Sequence, residues 1–231
     1  MGNLFHKISA PPKRTYSARY RREDDGEGGR NSSWKKLSRN PSVSSNNDPN
    51  VLSPDKKQLI QRSWQQIKNL NADKNCGVLV YMEIFTLYPN LMPIFGVENF
   101  NLTQLDENEH FSRHASVFIN LIDLTVRNLN VLEAEMGPIL ITYGRRHYYK
   151  HRVGMEEEYL GYFATGMTSF LLNQFNSPKF TSKTCGGSRT ELNQAWKLLI
   201  AYLIKKIKEG YDFEAFARES SKKLNELAPP P

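Results

Sequence analysis

Only two cysteines occur in 231 residues, Cys76 and Cys185, and neither falls in a CxxC or CxxCH run. That scarcity excludes a disulfide framework, a zinc knuckle and covalent attachment of a metalloporphyrin, and leaves two thiols expected to be reduced, with a redox-responsive bridge open on spacing alone. No apolar run approaches the roughly 20 residues that span a bilayer. Residues 1–22 lack the apolar core of a secretory signal, so an intracellular chain is expected. Period-two alternation is missing throughout, which removes strands from the expectation. With 39% hydrophobic and 24% charged residues the composition is that of a folded globular chain, and its length suits one domain with appendages.

Charge and order divide the chain near residue 50. Residues 1–50 are rich in Ser, Arg, Asn and Gly, have almost no periodic apolar positions, and are expected to form a disordered basic extension. They hold ten Lys or Arg against five Asp or Glu, +5 of the chain's +7. Lys7, Lys13, Arg14, Arg19, Arg21 and Arg22 all precede the first acid, Glu23. Gly2 follows the initiating methionine as in a myristoylation signal, although His6 stands where Ser or Thr is preferred. One acyl chain anchors only marginally, and the six cations would supply the second signal for an anionic cytoplasmic leaflet. Phosphorylation of Ser17, Ser38 or Ser42 would weaken such attachment. A plain solvated tail and a nuclear-localisation segment at residues 13–22 are the competing readings; nucleic acid is not expected as a partner.

From Leu52 the apolar residues recur at helical spacing. Ser53-Pro54 reads as an N-cap and first helical residue, opening a stripe of Ile60, Trp64 and Ile67. Val78, Tyr81, Phe85 and Tyr88 form a second stripe that stops at Pro89, followed by a short turn to Pro93, Ile94 and Phe95. A third helix carries residues 111–126, and a fourth is expected to open at Pro138, since Gly137-Pro138 would interrupt one starting earlier. Met155, Tyr159, Phe163, Gly166 and Phe170 mark the next stripe, and Leu192, Trp196, Leu199 and Leu203 the last. The fold class is therefore all-α. Residues 211–231, with Phe213, Phe216, Leu224 and Leu227, either extend the last helix or dock elsewhere.

Two histidines stand out on these stripes. His114 lies with Phe111, Phe118 and Leu121 at spacings of 3, 4 and 3, and His147 with Leu140 and Tyr143, so neither ring is expected to face water. A lone imidazole on an apolar stripe is most simply a hydrogen-bonded core residue. Two of them, 33 positions apart on successive helices, suit the clamping of a flat metal macrocycle. Other metal readings exist: His110 with His114 and His147 with His151 make two i, i+4 pairs for zinc, and Glu107 with His110 spells the Glu-x-x-His of di-iron bundles without a second copy.

In order, Leu52-Ser53-Pro54 with Trp64, then Pro89, Phe95, His114 and Tyr143-Gly144-Arg145-Arg146-His147 resemble the markers of the globin family, above all its nematode and neuroglobin-type members. The resemblance covers about two thirds of the chain, and implies a three-over-three helical sandwich over residues 51–210, preceded by the extension at 1–50 and followed by a helical tail at 211–231. It implies non-covalent haem b, iron protoporphyrin IX, with His147 as proximal iron ligand and His114 as distal residue or sixth ligand. His151, one turn on, is the rival for the proximal role; otherwise His151, with Arg145 or Arg146, is expected to pair the haem propionates. Tyr81 is similar to the tyrosine with which nematode globins hold dioxygen, and Phe118, bulkier than the usual valine, narrows the pocket or pushes His114 toward the iron. Phe95 would pack on the porphyrin and Tyr143 beside it. The implied function is binding of dioxygen or another diatomic gas, for transport, storage or sensing. The alternative is membrane-associated redox signalling through electron transfer, superoxide, nitrite or nitric oxide chemistry. No flavin motif accompanies these residues, so turnover would need an external reductase, and a dedicated enzyme is the weaker expectation.

Overall fold

The structure, a computed structural model, describes residues 52–150 and 158–227. The basic arm with Gly2, and also Met155 and His151, lie outside the described residues. Within them the chain forms seven α-helices and no strand: α1 (Pro54–Leu70), α2 (Cys76–Leu87), α3 (Glu109–Arg127), α4 (Gly137–Lys150), α5 (Tyr159–Asn176), α6 (Ser182–Cys185) and α7 (Arg189–Leu227).

Local chemistry sets where these helices begin. The Ser53 hydroxyl accepts the Lys56 N–H ahead of Pro54, the Asn75 side chain accepts Gly77 N–H at 2.9 Å, and Asn108 accepts Phe111 N–H at 2.9 Å. At α7 the exchange is reciprocal: Ser188 Oγ accepts Glu191 N–H while the Glu191 carboxylate accepts Ser188 N–H, a capping box. Pro89 ends α2 and starts a 3₁₀ turn, Pro89–Phe95, that carries Phe95 round the corner. A second 3₁₀ turn, Leu102–Glu107, leads into α3.

The helices pack in two layers, α1, α3 and α4 over α2, α5 and α7, the arrangement expected. Trp64 and Trp196 meet at 5.7 Å where α1 crosses α7. Each indole is also hydrogen-bonded to another helix: Trp64 donates to Asp123 on α3 at 2.9 Å, within its own layer, and Trp196 donates across the layers to Ser63 on α1 at 2.9 Å. Burying side chains of this size contributes about 1.5–3 kcal/mol each, and the bonded indoles add no unpaired donor to the core.

One boundary differs from the sequence expectation, and one left open is decided. Gly137-Pro138 does not interrupt the chain, because Leu132–Met136 form a π-helical turn that runs directly into α4 at Gly137. Pro138 then sits in the first turn, where its missing N–H is not needed. At the other end α7 continues past Gly210 without a break to Leu227, 39 residues or about 58 Å of helix.

Candidate functional site

α2 and α3 approach so closely that a Cβ on Gly77 would lie 2.1 Å from the Ala115 carbonyl oxygen. Only glycine allows that contact, and it brings Tyr81, one turn beyond Gly77, against His114, the neighbour of Ala115. The Tyr81 hydroxyl and His114 Nε2 are 2.9 Å apart. Around the phenol stand Phe85, Phe95, Phe111, Phe118 and Phe163, with ring centroids 5.1–5.7 Å away. The ring is fully enclosed, and burial pushes its phenol well above the ordinary tyrosine value, so it stays a neutral hydroxyl.

These residues form one wall of a cavity of about 360 Å³, within the range of cofactor sites. His114, Phe118 and Ile122 of α3, Tyr143, Arg146 and His147 of α4, Phe95, and side chains of α5 and α7 line it together. Both histidines therefore reach the same space from different helices. α3 packs on α1 and α2 while α4 packs on α7, so the space between α3 and α4 is left to the cavity. Among the described residues its lining is apolar apart from Tyr81, Tyr143, three imidazoles and Arg146, with no acid.

His147 is half-buried, and its Nδ1 is bonded to the Tyr143 carbonyl at 2.7 Å. That bond fixes the ring and makes Nε2 the nitrogen ligation would use. His114 departs from expectation: it is exposed, because the stripe it shares with buried Phe111 and Leu121 turns at this point from the core onto the cavity mouth. Arg146 lines the cavity with its guanidinium 5.8 Å from the Tyr143 ring centroid. Arg145 does not: its Nε donates to Glu214 at 2.9 Å on the opposite side of α4, which removes it from the carboxylate-binding role expected for it. The sequence reading overlooked His110 as a cavity residue, although its place one turn before His114 on the same helix was a visible signal. Among the described residues no three His, Cys, Asp or Glu side chains converge to hold a metal ion. Cys76 and Cys185 are free and buried, with burial pushing both thiols up.

A model of the globin family, described as "Globin", matches residues 78–207, more than half of the chain. The chain belongs to the globin family. Among curated proteins this globin is similar to the globin-related protein glb-13 of Caenorhabditis elegans, 26% identical over 156 residues that make up 68% of this chain and 51% of that protein. The chain thus spans about half the length of that relative. Among solved structures it is similar to globin-like protein Glb-12 from C. elegans, with TM-score 0.56 and 17% identity over 75% of this chain and 97% of the other. It is also similar to a hexacoordinated heme protein from an anhydrobiotic tardigrade, with TM-score 0.54 and 20% identity over 70% and 96%. At those identities the likeness is one of fold.

The residues present fit the haem that this family membership implies. An apolar slot holds two imidazoles from different helices, one already oriented by a backbone carbonyl, and Arg146 offers a cation and His110 a ring N–H for acidic substituents.

Proposed function

We propose that this globin holds haem b non-covalently in the α3–α4 cavity, with His147 as the proximal iron ligand, and binds dioxygen or another diatomic gas. The single observation that carries the reading is the pair of imidazoles, His114 and His147, on one apolar cavity. Haem, when bound, supplies an iron centre able to take up a small gas and to exchange an electron. The chain's own residues do the rest. Tyr143, through its carbonyl, orients His147; Phe95 and Phe118 exclude water; Arg146 and His110 pair carboxylates at the cavity rim.

Tyr81 governs which role His114 takes. In either tautomer Nε2 is engaged by the phenol, as acceptor or as donor. Sixth-site ligation would break that bond and strand a hydroxyl inside an aromatic box, at a cost of about 1–3 kcal/mol. The tardigrade protein, described as hexacoordinated, marks the opposite outcome in this fold. We therefore expect an open site in the ferrous form, with the Tyr81–His114 pair able to offer one donor to a polarised gas ligand. In the absorption spectrum, wild-type ferrous protein should be five-coordinate and high-spin, and Tyr81→Phe should move the equilibrium toward six-coordinate by about 5- to 150-fold. A six-coordinate wild type unaffected by Tyr81→Phe would overturn this.

The N-terminal arm favours a second reading, redox signalling from the cytoplasmic face of a membrane with electrons from an external reductase. Six cations before the first acid, behind Gly2, are its support. If it holds, Gly2→Ala moves the protein from the membrane to the soluble fraction; unchanged partitioning argues against acylation.

A further inference from the structure

The back of α4 carries a cluster that the gas-binding reading does not use. Glu214, on the part of α7 beyond Gly210, is buried at 4% exposure. Its carboxylate accepts from Arg145 Nε at 2.9 Å, from Arg218 Nε at 3.2 Å and from the Tyr149 hydroxyl. Arg218 also donates to the Tyr149 hydroxyl, and the Arg145 guanidinium lies 5.2 Å from the Phe213 ring centroid.

Arg145 and Tyr149 stand two residues before and two after His147, about 200° round the helix from it. The cluster therefore grips α4 on the side away from the cavity. It is also displaced from the point where the two helices touch. There, a Cβ on Gly144 would fall 1.8 Å from the Ile207 carbonyl oxygen, and one on Gly210 would fall 2.0 Å from that of Ile141. This reciprocal backbone contact sets the distance between α4 and α7, and the Tyr148–Tyr211 ring contact, 5.5 Å between centroids, carries the packing on from there. Glu214 lies one turn, about 6 Å, further along α7. A charged attachment at that distance, added to the apolar packing, braces the crossing angle, and with it the reach of His147 into the cavity.

We infer that Glu214 is a positioning residue for the proximal imidazole: with Arg145 and Tyr149 it locks the angle of α4 on the distal third of α7, so that this part of the helix belongs functionally to the haem site. The inference rests on His147 being the iron ligand.

The test compares full-length Glu214→Gln, Tyr149→Phe and Ser63→Ala with wild type, each loaded with hemin. Ser63→Ala is the control, since it removes the buried bond from Trp196 at the other end of α7, away from the cavity. Haem release to an excess of a haem-free acceptor globin is measured, together with the iron–imidazole stretch of the ferrous form by resonance Raman. Glu214→Gln should speed release about ten-fold, the low end of what loss of an outer-shell partner costs a metal site, and shift the stretch. Tyr149→Phe, a conservative change at a half-exposed ring, should do the same to a smaller degree and covers the case in which Glu214→Gln does not fold. Ser63→Ala should leave both unchanged even where its melting temperature falls as far. Release and Raman signals in Glu214→Gln or Tyr149→Phe that match Ser63→Ala at equal loss of melting temperature would overturn the inference while leaving the haem reading intact. Failure of the wild type to take up hemin would overturn both.

Discussion

His114 and His147 were visible in the sequence because a spacing of 3 and 4 puts each on a stripe of core residues. What spacing does not carry is how neighbours divide between the two sides of a stripe. Arg145 and Arg146 are adjacent, about 100° apart on α4, and the fold sends one to Glu214 and the other to the cavity. Likewise Tyr81 and His114 each read as ligand-facing, whereas the bond between them depends on the Gly77–Ala115 approach of two helices. At this scale the roles separate by substitution. His114→Leu should retain haem and alter the ferrous spectrum in the presence of a gas. Arg146→Ala with His110→Ala should keep the same spectrum but release haem several-fold faster, since an exposed polar or charged contact of this kind contributes about 0–1 kcal/mol. Loss of haem from His114→Leu comparable to that from His147→Ala would reverse the assignment of the two imidazoles.

Among the elements, existence was legible and extent was not. Every apolar stripe within the described residues became a helix, but Gly137-Pro138, read as an interruption, follows a π turn without a break, and the spacing left open whether the last helix runs on past Gly210. A glycine inside a helix costs about 1 kcal/mol against alanine, so Gly210 weighs toward a stop until the partner helix is known. Its lack of a Cβ is what lets Ile141 approach. Gly144→Ala should accordingly destabilise the protein by about 3 kcal/mol or more, against the gain of a few tenths to 1 kcal/mol that alanine brings to an unobstructed helix. Denaturant unfolding measures this; a stabilised Gly144→Ala would mean that α4 and α7 do not touch there.

For the whole molecule, carboxylates tie one element to another. Burial alone would raise the Asp123 carboxyl, yet hydrogen bonds from Lys68 at 2.7 Å and from Trp64 bring it below the usual range. Lys206 at 2.8 Å, and Tyr202 with it, hold Glu133 low between the π turn and α7. In acid the unfolded chain therefore binds more protons than the folded one. The stability these groups add is full above the ordinary carboxylate value of about 4 and is lost as pH falls through it to the lower folded values. The melting temperature of the protein should be level near neutrality and drop steeply below about pH 5. Asp123→Asn should lower the neutral value and flatten the acid slope; an unchanged slope would show that the α1–α3 tie carries none of it.

Haem uptake at His147 is the claim on which the rest depends, and a titration of the full-length protein with hemin, followed at the Soret band, tests it most directly. The account predicts saturation at one equivalent for wild type, and no such band for His147→Ala. A wild type that develops no band, or a His147→Ala variant that binds as wild type does while His151→Ala does not, would contradict it.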